Sequence, residues 1–196
     1  MLTSKGEASK NKLLAAAERL FADKGYHAAT VSQIVKAAGL TQASFYQYFK
    51  SKDEILQELL SQFAEQLRPF TDAGREAGNR PPDQLETFVI QAFTGLFELL
   101  GQNANLTRIA LLESEEGASF RESIVRQISG NMIRNQQAGI VRPDVDPELA
   151  AESVVASVER LIYKYGTAGD KTAAEMGEQL GRLFLNGILL HPASPV

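Results

Sequence analysis

Four short signals, Thr30/Gln33, Ser51/Glu54, Asp83/Glu86 and Thr172/Glu175, set a Ser, Thr or Asp three residues ahead of a Glu or Gln. That is the spacing of a capping box, in which side-chain and backbone groups satisfy each other's free partners at a helix start. Asp146 followed by Pro147 is a fifth start, because proline at the first helical position gives up an N–H that has no partner there anyway. No sustained period-two alternation lies between these points, so the chain is expected to be all-α. The starts divide the 196 residues into about nine helices, at roughly 5–24, 31–38, 42–49, 52–68, 83–100, 104–114, 118–138, 147–165 and 173–190. Gly25 and Gly39 stand where the first two must end, and both suit the left-handed conformation of a helix C-terminus. The Gly-, Pro- and charge-rich stretch Thr71–Pro82 is the marked linker. The organisation expected is a helix-turn-helix domain over residues 1–52, with its motif at 30–49, followed by a larger helical bundle over 53–196.

Composition excludes several chemistries. With no cysteine there is no disulfide, zinc ribbon or thiol nucleophile, and His27 and His191 are too far apart in sequence to suggest a metal site. Neither a metal nor another cofactor is expected. A membrane helix needs about 18 or more apolar residues in a row, and the stretch from Leu183 onward is broken by Asn186, His191 and two prolines. The apolar run Leu13–Ala17 is cut short by Glu18 and Arg19, unlike a signal peptide. A soluble, cytoplasmic protein is expected.

The charge is unevenly divided. Residues 1–50 carry seven basic groups against three acidic ones, a net +4, so the remainder holds −8 of the total −4. A basic N-terminal segment on an acidic body suits a protein whose first part alone approaches a polyanion. Within it, Leu13, Leu14, Ala17, Leu20 and Phe21 form one apolar stripe and Val31, Ile34, Val35 and Ala38 a second, while the third helix contributes Phe45 and Phe49. These close a small core and leave Gln42, Ser44, Tyr46, Gln47 and Tyr48 for solvent. Tyr46 and Tyr48 lie about 200° apart on a helix, so they cannot both join one core. From Ala37 to Phe49 no ionisable group occurs except tyrosine hydroxyls, and Lys36, Lys50 and Lys52 flank the stretch. Amides and hydroxyls framed by cations suit a DNA groove, where the first read base edges and the second hold phosphates. Helix, a turn on Gly39 and Leu40, and a helix capped by Thr41 make a helix-turn-helix whose second helix enters the major groove.

The stretch Thr30-Val-Ser-Gln-Ile-Val-Lys-Ala-Ala-Gly-Leu-Thr-Gln-Ala-Ser-Phe-Tyr-Gln-Tyr-Phe-Lys-Ser-Lys-Asp-Glu-Ile-Leu56, with Ala16–Gly25 upstream, resembles the DNA-binding signature of the tetracycline-repressor (TetR) family of bacterial regulators. The resemblance covers about residues 10–60. It implies that Thr30 and the start of the second helix contact phosphate, and that Thr41, Gln42, Ala43 and Ser44 lie at the groove-facing start of the third. It further implies that Tyr46 and Tyr48 meet phosphates or thymine methyls, and that Lys52 meets a phosphate. Gln42 departs from the small or basic residue often found at its place, and Gln47 stands where an aromatic is frequent, so the operator sequence does not carry over.

Beyond residue 83 the stripes lengthen: Leu85 through Leu100, Leu149 through Ile162, and Met176 through Leu189. They present more apolar surface than one bundle needs, so a homodimer is expected. Its interface is placed on the last two long helices, at Val155, Val158, Ile162, Gly177, Leu180, Gly181, Phe184 and Ile188, in agreement with the resembling family. Gly177 and Gly181, one turn apart, each cost about 1 kcal/mol relative to alanine, a cost that close approach of a neighbouring helix explains. Phe88, Phe93 and Phe97 with Arg108, Asn131 and Tyr163 are the candidate lining of a pocket for an apolar or amphipathic small molecule. The expected function is a DNA-binding transcriptional regulator, a repressor released from a near-palindromic operator by that ligand. The alternative is an all-helical adaptor that binds protein and has no affinity for DNA. A helical enzyme using Glu113, Glu115 and Glu116 lacks an accompanying nucleophile, metal set or phosphate loop, so no catalytic role is expected.

Overall fold

The structure is a computed structural model that describes residues 4–112, 117–166 and 169–188. Ten α-helices and no β-strand occur among them: α1 Ser4–Lys24, α2 Val31–Ala38, α3 Gln42–Tyr46, α4 Lys52–Thr71, α5 Ala73–Ala77, α6 Pro82–Gln102, α7 Ala104–Thr107, α8 Ala118–Gln137, α9 Pro147–Leu161 and α10 Ala173–Ile188. Two of them run on into single π-helical turns, α7 into Arg108–Leu112 and α9 into Ile162–Gly166.

The caps differ in where the Glu or Gln side chain goes. At Thr30/Gln33 and Thr172/Glu175 both halves of the box form, and Asp146 accepts from the N–H groups of Glu148 at 2.9 Å and Leu149 at 3.0 Å. At Ser51/Glu54 the serine hydroxyl accepts from Glu54 N–H at 3.2 Å, but the Glu54 carboxylate takes the N–H of Lys50 instead. At Asp83/Glu86 the helix starts one residue early, on Pro82, and Glu86 pairs across to Arg182 of α10 at 3.4 Å.

The chain packs as two compact units. The first comprises Met1–Glu65 and Asn103–Ala118. Its interior is made by Leu13, Ala17 and Phe21 of α1, Ile34 and Val35 of α2, Phe45 and Phe49, and Ile55, Leu56, Leu59 and Phe63 of α4. The π-helical turn after α7 adds Ile109, Ala110 and Leu111, packed on α1. The packing thus divides the chain differently from a cut at residue 52, since most of α4 and a segment from far downstream join the N-terminal helices.

The second unit comprises Gln66–Gln102 and Ser119–Val196. Here the expected linker is largely helix. Gln127, Asn131 and Asn135, at successive i+4 positions on α8, donate to Asp72 Oδ1 at 2.7 Å, to the Thr71 carbonyl at 2.8 Å and to the Gly74 carbonyl at 2.8 Å. The Thr71 and Gly74 carbonyls are among those that the ends of α4 and α5 leave without helical partners, and the bond to Asp72 ties the residue between the two helices. With Thr71 and Ala77 buried, the stretch is part of the packed interior.

One buried group in this unit is poorly served. Glu159 on α9 has a buried Oε1 without a hydrogen-bond partner, and Arg121 Nε stands 3.7 Å away. Burial pushes its carboxyl above the ordinary glutamate range, the Arg121 charge opposes this, and Glu152 adds to it. A carboxyl raised in the folded state binds its proton more tightly there, so ionising it costs stability as pH rises from the unfolded value of about 4.3. Glu159→Gln is therefore expected to raise the urea midpoint at pH 7.5, with the gain shrinking toward zero below pH 4. Equal gains at both pH values would contradict this origin.

Candidate nucleic-acid interface

Thr30 opens α2 in extended conformation, its Oγ1 accepting from Gln33 N–H at 3.3 Å while the Gln33 side chain accepts from Thr30 N–H at 3.1 Å. The helix ends on Gly39, left-handed at φ 67°, with Leu40 N–H bonded back to the Val35 carbonyl at 2.9 Å. Only a residue without a Cβ takes that conformation at no steric cost. Thr41 is again extended and caps α3 through Ser44 N–H at 3.2 Å. Two helices, each with a formed N-cap, are thus joined by the three residues Gly39, Leu40 and Thr41.

The third helix is shorter than expected, five residues instead of eight. Tyr48 and Phe49 both donate to the Phe45 carbonyl at 2.9 Å, a tight turn that returns Phe49 to the core, where its ring lies 5.7 Å from that of Phe45. Around this anchor Thr41, Gln42, Ala43, Tyr46 and Gln47 are exposed, and Ser44 and Tyr48 are half-buried. Tyr46 keeps 59 % of its surface in solvent. Lys36 and Lys50, on either side, are exposed as well. The face is polar and uncharged, with cations at its margins.

Lys52 is the exception. Its ammonium donates to the carbonyls of Tyr26 at 2.6 Å, Ala29 at 3.0 Å and His27 at 3.4 Å, and lies 4.1 Å from the centre of the Tyr26 ring. An ammonium has three protons, and each has a carbonyl here. The side chain is held on the turn between α1 and α2, at the residue for which the resemblance implied a phosphate contact. Tyr26 is tied down from its other end, its hydroxyl donating to Asp53. Sequence reasoning missed Tyr26 and Asp53; the faint signal was an aromatic directly after the helix-ending Gly25. Lys10 is also engaged, with Glu58 at 2.7 Å, and that hydrogen bond holds the Glu58 carboxyl below its usual range.

The candidate pocket residues are dispersed. Phe97 and Asn131 are buried, and Asn131 is spent on the Thr71 carbonyl and on Arg134. Phe88 lies under the Arg80 guanidinium at 4.4 Å, and Phe93 faces Phe184 of α10 at 6.2 Å. Tyr163 is exposed with Arg160 5.9 Å from its ring, and Arg108 belongs to the other packing unit. Of the expected interface residues, Val155, Val158, Ile162, Gly177, Leu180 and Gly181 are buried within the chain, and Phe184 and Ile188 are half-buried. The helix that Gly177 and Gly181 admit is α6 of the same chain: a Cβ on Gly177 would lie 2.6 Å from Thr94 N, and one on Gly181 3.3 Å from Ile90 Cα. Glu113, Glu115, Glu116, Leu189 and His191 lie outside the described residues. No helix among the described residues is long and apolar enough to cross a membrane.

The profile of bacterial regulatory proteins of the tetR family matches residues 13–59, a span that begins in α1 and ends within α4. The HTH-type transcriptional regulator YdgC of Bacillus subtilis, itself uncharacterised, is 31% identical over 188 residues, covering 96% of each chain. Among solved structures, the fatty acid degradation regulator FadR of Bacillus halodurans superposes with a TM-score of 0.69 at 22% identity, over 91% of this chain and 95% of that one. SmeT of Stenotrophomonas maltophilia, in complex with triclosan, gives a TM-score of 0.70 at 19% identity, over 95% and 96% of the two chains. A capped helix-turn-helix inside the matched span, continuous likeness to a whole regulator and a shared all-helical fold agree: the chain belongs to the TetR family and is a DNA-binding transcriptional regulator, not an enzyme.

Proposed function

We propose that the protein is a repressor that binds a near-palindromic duplex operator as a homodimer and is released by an apolar or amphipathic small molecule. The observation that carries the reading is the uncharged, solvent-facing side of the α2–α3 unit between exposed Lys36 and Lys50. In this reading α3 enters the major groove, with Thr41, Gln42, Ala43, Ser44, Tyr46 and Gln47 at the bases and Thr30, Tyr48 and the two lysines at phosphates. Lys52 acts from behind, by holding the turn that precedes Thr30. Two-fold symmetry sets the half-sites about 34–36 Å apart, or a multiple of this.

In this reading the dimer surface is what α9 and α10 leave outside. Leu149 of α9, Tyr163 just after it and Leu183 of α10 keep 67 %, 56 % and 70 % of their surface exposed, three of the five large apolar side chains that stand in solvent among the described residues. Leu183→Glu is expected to raise the dimer dissociation constant roughly tenfold, about 1.4 kcal/mol, in sedimentation equilibrium while leaving the helical content unchanged. An unaltered dissociation constant would move the interface elsewhere.

The effector class is supported by similar proteins, a fatty acid degradation regulator and a repressor in complex with triclosan. Such a ligand lowers operator occupancy only if it binds the DNA-incompetent state more tightly than the competent one. The test is fluorescence anisotropy with duplex DNA across a salt series, then with fatty acids and triclosan added. The reading requires log K to fall linearly with log salt, by about 0.9 per phosphate neutralised. Affinity that does not change with salt would overturn it.

A further inference from the structure

Read as the groove-entering helix, α3 has an unusual chemical inventory, and the inference drawn here rests on that reading. A helix that specifies guanine from the major groove commonly does so with Arg or Lys, because guanine shows two acceptors there, N7 and O6, and needs two donors. Between Ala37 and Phe49 this chain has no cation and no carboxylate. The hydroxyls at the head of the helix are partly engaged: Thr41 Oγ1 accepts from Ser44 N–H at 3.2 Å and lies 3.0 Å from Ser44 Oγ, which leaves one O–H proton between the two. The exposed groups left at the head of the helix are the carboxamide of Gln42, which has no hydrogen bond within the described residues, and the methyl of Ala43.

A carboxamide carries one acceptor and one donor set on a single rigid plane. Adenine presents the complement in the major groove, an N6 amino donor beside the N7 acceptor, and its partner thymine adds a methyl that suits an alanine side chain. Against guanine the same amide satisfies one acceptor and sets its own oxygen against the other. Against cytosine the N4 donor is matched by the amide oxygen alone. We propose that Gln42 is a specificity-determining residue of the protein and that the base pair it faces in each operator half-site is A·T, bound through the adenine N6/N7 edge.

The experiment is selection of bound fragments from random duplexes with the wild type, Gln42→Ala and Gln42→Arg. Gln42 is exposed, and the Thr41 cap does not depend on its side chain, so circular dichroism melting of all three proteins should coincide. The wild type is expected to select A·T at one symmetric position of each half-site, with roughly 5- to 150-fold discrimination there. Gln42→Ala should flatten that position alone, and Gln42→Arg should turn it to G·C. As a direct probe, 7-deaza-adenine at that position should weaken the wild type at least fivefold and leave Gln42→Ala unaffected. Enrichment that survives Gln42→Ala unchanged, or a wild-type G·C pair at the position the variant relaxes, overturns the assignment while leaving the DNA-binding reading intact. No enriched sequence with the wild type overturns the reading of α3 itself.

Discussion

Gly177→Ala is expected to destabilise the protein by about 1–3 kcal/mol, the cost of overpacking a close contact, although alanine is the better helix former. The added methyl would sit 2.6 Å from the backbone nitrogen of Thr94 and 2.7 Å from its Cα, and backbone atoms of a packed helix cannot turn aside. Gly187, on the same helix, is the internal control, because a Cβ there meets nothing within 4 Å. Gly187→Ala should stabilise by about 0.5–1 kcal/mol through backbone entropy alone. Urea midpoints of the two variants moving in opposite directions would establish that α10 is held against α6 by its missing side chains. The difference between Gly177→Ala and wild type should also be the same at every protein concentration, because the contact lies within one chain. A Gly177→Ala variant as stable as the wild type would mean that the two helices are farther apart than described.

Lys52→Met is expected to lower affinity for all duplexes by about tenfold or more, the equivalent of losing at least one charge-assisted hydrogen bond, without changing the slope of log K against log salt. Methionine keeps the apolar stem and removes the ammonium, leaving the carbonyls of Tyr26, His27 and Ala29 without their donor. The turn they form leads directly into Thr30, so its loosening should misplace the start of α2 on every sequence alike. Had the ammonium neutralised a phosphate, the slope would fall by about 0.9. A reduced slope would therefore restore Lys52 to the DNA surface, and full affinity with reduced thermal stability would separate the clamp from DNA binding altogether. Tyr26→Phe, which removes only the hydroxyl bonded to Asp53, should produce the same pattern at smaller amplitude.

The part of the site that could be read from the chain is the part built by neighbours. Thr30 with Gln33, Gly39 and Thr41 lie within a dozen positions of one another, and each acts on backbone groups no more than four residues away. The outward set on α3 followed from where Phe45 and Phe49 must point. Its length did not, because the turn after Tyr46 exists to bring Phe49 back into a core that α4 helps to form. Glu86 had the spacing of a cap and became an ion pair with Arg182, nearly a hundred positions on, because α6 and α10 run together. The same pairing covers Gly177 and Gly181, two of the eight residues assigned to a dimer interface, and Val155 packs on Val125 of α8. Apolar periodicity reports that a face is covered, and it carries no information about which helix, from which molecule, covers it.

Helix starts, their caps and the outward polar face of α3 were settled by the order of residues, since hydrogen bonds spanning three or four positions and the 3.6-residue period are properties of a short segment. The destination of the Lys52 ammonium, the partner of the α10 glycines and the fate of Asn131 were decided by folding. Each depends on groups that lie tens of residues apart along the chain and that only the packed interior brings within hydrogen-bonding or van der Waals distance.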